Sequence, residues 1–186
     1  MITLSENSNI RRIDELGRIV IPKDIRKKLH IKTNEPLEIM IESGEIRIKK
    51  YSELPDYIDF IKYLIDIGTR TTNNNYIITD RDHVVASTNK EYEASRISNM
   101  LEKFMIDGTN IKNEHINLII SDNIQITAYT TIYPLIIDDD KSGLIIEYNE
   151  SSPINSDDVI KIFKKLIEKN FNSYWLTWIF MIYYRY

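Results

Sequence analysis

Within residues 10–29, IRRIDELGRIVIPKDIRKKL, the side chains that carry chemistry are Arg11, Arg12, Arg18, Lys23, Arg26, Lys27 and Lys28. Fixed cations at this density suit the neutralisation of a polyanion such as DNA or RNA. The charge is also segregated. Residues 1–50 hold 11 basic against 8 acidic side chains, a net of +3, while the remainder holds 13 against 20, a net of −7. One end is suited to a polyanion and the other to a different task.

Other chemistries find little support. There is no cysteine, which removes disulfides, thiolate zinc sites and thiol nucleophiles and fits a reducing cytoplasm. His30, His83 and His115 are too scattered to define a site, and Asp80 and Asp82 beside His83 read as a short acidic turn rather than a metal site. The run DDDKSG over 138–143 opens with calcium-loop spacing and has Gly at the sixth place. Its twelfth position, however, is Asn149 where a bidentate Glu is needed, so a polar hairpin turn is expected. No phosphate-cradling glycine loop, nucleophile elbow or zinc-protease motif occurs. Neither enzyme activity, cofactor nor metal is expected.

The elements that must position the cations are short. Residues 9–14 and 18–21 read as strands joined by a turn at Leu16-Gly17, and Pro22 stands where a helix begins, because its fixed φ suits a first turn. That helix ends near Leu29, with Ile25 and Leu29 four residues apart on its inner face. Leu37, Ile39 and Ile41 alternate with polar residues, Ser43-Gly44 supplies a turn, and Ile46 and Ile48 alternate on the way back. Two hairpins around one helical turn hold about ten aliphatic side chains, too few for a lone domain to close its core. Two interleaved copies would solve this.

The stretch RRIDELGRIVIPKDIRKKL, followed by PLEI and KKY, resembles the swapped-hairpin domain of the AbrB transition-state regulators. The resemblance implies a domain-swapped, dimeric β-barrel over residues 1–52 that grips double-stranded DNA. The positions matching the family's basic residues are Arg11, Arg12, Arg18, Arg26 and Lys27. Lys27 departs from a paired-arginine position, so a backbone contact is expected there, since lysine cannot fork onto a guanine edge. Arg11 and Arg12, adjacent on a strand, should point to opposite faces, one of them pairing with Asp14 or Glu15. Arg18 is the foremost candidate.

Residues 53–56, with Pro55, read as a linker. Beyond it a helix is expected over 55–67, ended by Gly68, then a hairpin over 76–80 and 83–87 and an amphipathic helix over 91–106. Strands at 116–121, 125–137 and 143–148 and a helix over 156–170 capped by Ser156 complete an α+β unit around an antiparallel sheet. This order, over 57–170, resembles a GAF-type regulatory domain. Such a fold implies a small-ligand pocket lined by residues such as Tyr76, Ile78, Val85, Tyr129 and Tyr133, although plain packing aromatics explain the same side chains.

The last 16 residues, FNSYWLTWIFMIYYRY, hold eight aromatics and a single charge, Arg185. The family resemblance implies a polar end here. The stretch is short for a membrane span. Three readings stand: an interface, a membrane-surface contact, or a non-native end from a shifted reading frame. The last is preferred, and no membrane partner is expected.

The reading as a whole is a cytoplasmic, nucleoid-associated, sporulation-type transcription regulator, dimeric through its arm and tetrameric if each half pairs with a different copy. An effector would act by changing the spacing of the two DNA-binding dimers. An antitoxin-like autoregulator whose second half masks a protein partner is the alternative, weakened by how folded residues 55–170 look. A small-molecule enzyme with an accessory DNA module is a third, which turnover assays would reveal.

Overall fold

A computed structural model describes residues 10–29, 31, 33, 35–52, 54–137 and 139–171, in two compact units, Met1–Tyr51 and Ser52–Tyr186. His30, residue 53, Asp138 and the aromatic tail from 172 onward lie outside the described residues.

In the first unit, α1 (Lys23–Lys28) begins after Pro22, and its last turn carries Arg26, Lys27 and Lys28, where cations favour the helix C-terminus. β1 (Leu37–Glu42) and β2 (Glu45–Lys50) pair antiparallel, with Ile39 opposite Ile48 and Ile41 opposite Ile46. Ser43 and Gly44 both take positive φ, 53° and 82°, as a two-residue hairpin turn requires. Residues 10–22 do not form the expected pair of regular strands. A two-stranded ribbon by itself is marginal in water, which leaves residues 10–22 without a regular ladder. For the same reason Leu29, expected to be inside, is exposed, and α1 buries no residue.

The second unit opens where the linker was expected. Residues Leu54–Tyr57 form a 3-10 turn, and Leu54 is fully buried in the unit's core. α2 (Ile58–Thr72) follows and runs straight through Gly68, ending at Asn73 in the left-handed conformation. Gly68 is a packing glycine, not a stop. A Cβ there would stand 2.6 Å from the Phe163 ring and 2.8 Å from that of Tyr76.

β3 (Asn75–Thr79), β4 (Val84–Ser87), β5 (Ile111–Ser121), β6 (Ile124–Ile137) and β7 (Asp140–Asn149) form one antiparallel sheet ordered β4-β3-β7-β6-β5. α2 and α4 (Asp157–Phe171) cover one face with a core that includes Ile61, Ile145, Ile160 and Ile167. α3 (Asn99–Asp107) covers the other, over Leu101, Leu118, Ile132 and Ile146. This is the α+β arrangement around an antiparallel sheet that the element order implies.

The helix expected over 91–106 is shorter than its apolar pattern. Lys90–Tyr92 is a separate 3-10 turn, Ala94 takes φ 62°, and Arg96 bridges to His83, so residues 93–97 serve the sheet edge instead. α3 starts only where the Ser98 side chain accepts from Leu101 N–H at 3.2 Å.

Candidate nucleic-acid interface

The basic arm is organised by its first turn. Asp14 and Arg18 flank a three-residue loop in which Gly17 N–H donates to Asp14 O at 2.9 Å and Asp14 N–H to Arg18 O at 3.1 Å. Gly17 takes φ +75°, the left-handed step that closes such a loop. The Asp14 carboxylate fills the remaining valences. Its Oδ1 accepts from Leu16 N–H at 3.0 Å and Arg18 N–H at 2.8 Å, and its Oδ2 accepts from Arg18 Nε at 2.8 Å. Donation from the Arg18 amide, then from its guanidinium, holds the Asp14 carboxyl below the usual carboxylate range.

The five candidate cations are all exposed. Arg11 donates to Ile10 O at 3.0 Å and borders an apolar groove, whereas Arg12 is not among the residues lining it. Of the two acids expected to compensate one of these arginines, Asp14 or Glu15, Asp14 is engaged with Arg18. Arg26 and Lys27 sit on α1, whose Arg26 N–H is satisfied by Pro22 O at 2.9 Å. The groove measures about 470 Å³ and is lined by Ile10, Ile19, Val20, Ile25, Leu29 and Ile48 among others.

In the second unit Tyr76, Ile78 and Tyr133 lie in one buried core cluster, with Val85 packed against it. Tyr129 is apart from that cluster, its ring 4.7 Å from that of His115 across β5 and β6. Tyr76 donates to Glu147 Oε1 at 2.7 Å, and burial, reinforced by Glu147, pushes its phenol well above the ordinary range. Tyr133 is raised likewise, by burial and by its hydrogen bond to Asp157. These side chains are committed to partners within the fold.

Residues 10–56 match the family described as antidote-toxin recognition MazE, bacterial antitoxin, and residues 57–168 match the stage V sporulation protein T C-terminal family, described as a transcription factor. Stage V sporulation protein T of Bacillus subtilis (strain 168) is 33% identical over 148 residues, which cover 76% of this chain and 83% of the relative. The chain belongs to the stage V sporulation protein T family. It is a sporulation-type transcription regulator. The transition state regulatory protein AbrB of the same organism is 45% identical over 42 residues, covering 23% of this chain and 44% of AbrB. A crystal structure of the cyanobacteriochrome receptor PixJ aligns with 63% of this chain and 94% of its own at 19% identity, with a TM-score of 0.44.

In this member of the stage V sporulation protein T family, the described residues of the calcium-loop-like run, 139–143, turn into β7. Asp140 pairs with Arg81 at 2.7 Å, and Gly143 sits in β7 where a Cβ would meet Thr79 O at 1.9 Å. Among the described residues no cluster of three potential ligands could hold a metal ion, and no helix is long and apolar enough to cross a membrane. Sequence reasoning missed the role of Asp14. The signal was present, since Asp at the first position and Gly at the fourth is a turn signature.

Proposed function

We propose that two copies of residues 10–50 combine into one module that docks on duplex DNA through Arg11, Arg12, Arg18, Arg26 and Lys27. The observation that carries this is the uncovered apolar face of the first unit. Ile39, Ile41 and Ile46 are 69%, 82% and 69% exposed, beside a groove walled by further aliphatics. Burying one such side chain contributes about 1.5–3 kcal/mol, so leaving this set in water is costly, and a second copy carries a matching set.

Specificity then comes partly from arginine contacts to base edges and partly from DNA shape. Two measurements test the reading. Light scattering on size-exclusion fractions should find no monomer, and Ile41→Asp should produce one. Anisotropy titrations should give a steep log–log salt slope that Lys27→Ala, at the expected phosphate contact, flattens by about two units per dimer. A monomer indifferent to DNA at low salt would overturn it.

Pairing of the second units between different copies yields a tetramer on the nucleoid. An effector entering among Tyr76, Ile78, Val85, Tyr129 and Tyr133 would have to displace packed side chains. Regulation through assembly is therefore the simpler reading for this unit. The chain acts by binding rather than by turnover, in keeping with relatives named as transcription regulators. The antitoxin alternative draws support only from the name attached to residues 10–56. A second half that folds around its own core and matches a transcription-factor family supports the regulator instead.

A further inference from the structure

We propose that Asp14 is the positioning residue that makes Arg18 selective, an inference resting on the reading that the arm binds DNA. The two oxygens of one carboxylate do separate jobs. Oδ1 closes the loop on the amides of Leu16 and Arg18, and Oδ2 grips Arg18 by Nε, its inner N–H. The guanidinium is thus held from behind. Donation through Nε leaves the Nη1–Nη2 edge of a side chain that is 71% exposed, and that edge is the fork that matches guanine O6 and N7.

Stability does not account for the pair. An exposed ion pair four residues apart contributes little to folding, and the loop is already closed by Oδ1. Binding gives it a use in two ways. A tethered arginine surrenders less rotamer freedom when it meets a base edge. A neighbouring anion also offsets the attraction of Arg18 for phosphates at large, which is the sequence-independent part of DNA affinity. Both effects favour the correct site over arbitrary duplex.

The test uses the full chain and two probes: a duplex that the wild type enriches from a randomised library, and a random-sequence duplex of equal length. Asp14→Asn keeps an acceptor for the loop amides but loses the anion that grips Nε. It should bind the random duplex at least as tightly as wild type does. Its preference for the enriched duplex should fall by about fivefold or more, the least that a bidentate arginine–guanine pair supplies. Arg18→Lys should lose preference similarly. Asp14→Ser, whose hydroxyl also serves the loop, repeats the measurement should the Asn variant melt early. A preserved preference, or an equal loss on both probes, overturns the proposal, the latter pointing to a loop-closing role alone. If the wild type binds neither probe, the DNA-binding reading itself has failed.

Discussion

The phenolic hydroxyl of Tyr76 donates to Glu147 Oε1 at 2.7 Å from directly across the β3–β7 ladder, with both residues fully buried. The same oxygen accepts from Asn74 Nδ2 at 2.8 Å and from Ser156 Oγ, so the end of α2, the start of β3 and the entry to α4 converge on one carboxylate. Oε2 has no partner among the described residues. Glu147→Ala removes the acceptor that three donors share and should lower stability by about 3 kcal/mol, whereas Glu147→Gln keeps an acceptor and should lose about 1 kcal/mol. Urea unfolding of the two variants measures this, and equal losses would mean that the acceptor is not what matters.

At Gly68 two effects compete. Alanine is the better helix former by about 1 kcal/mol, but its methyl would press on the rings of Phe163 and Tyr76, whose centroids lie 5.7 Å apart. Overpacking of this kind costs about 1–3 kcal/mol. Gly68→Ala should therefore lower the melting temperature, and a rise would show that helix α4 yields easily.

Asp157 contributes to the acid sensitivity of the second unit. Burial alone would raise its carboxyl, but Lys161 and Tyr133 outweigh that and hold it below the model-peptide value of 3.8. A carboxyl depressed in the folded state contributes stability above its unfolded value and loses it as pH falls through the lowered one. The contribution is small because the pair is partly exposed. Wild type and Asp157→Asn should therefore differ in melting temperature at neutral pH, and the gap should close below about pH 3.8. A gap that persists in acid would assign the effect to shape instead of charge.

Arg26 and Lys27 should separate in kind. Loss of Lys27 should weaken binding to all duplexes alike and flatten the salt slope by about one unit per protomer, as a phosphate contact does. Arg26→Ala, if the residue reads a base edge, should relax preference at one position by about 1–3 kcal/mol. Library selection with each variant distinguishes the two patterns, and identical patterns would contradict the division of labour.

Much of this protein follows from local chemistry. Gly17 and Gly44 mark turns because glycine takes positive φ without steric cost, Pro22 starts α1, and the alternation through Ile39, Ile41, Ile46 and Ile48 is enough for a hairpin. Segregated charge already separated a cationic arm from an acidic remainder. Tertiary contact decided what spacing leaves ambiguous. Gly68 reads as a helix end by composition, yet two rings need the space a side chain would take. Residues 93–97 carry a helical pattern, yet the sheet edge claims Arg96 and Ile97. The acid that meets Arg18, and the donors that meet Glu147, were chosen by where the backbone brings each atom, because a carboxylate's partner is a matter of ångströms while its place in the chain fixes only its charge.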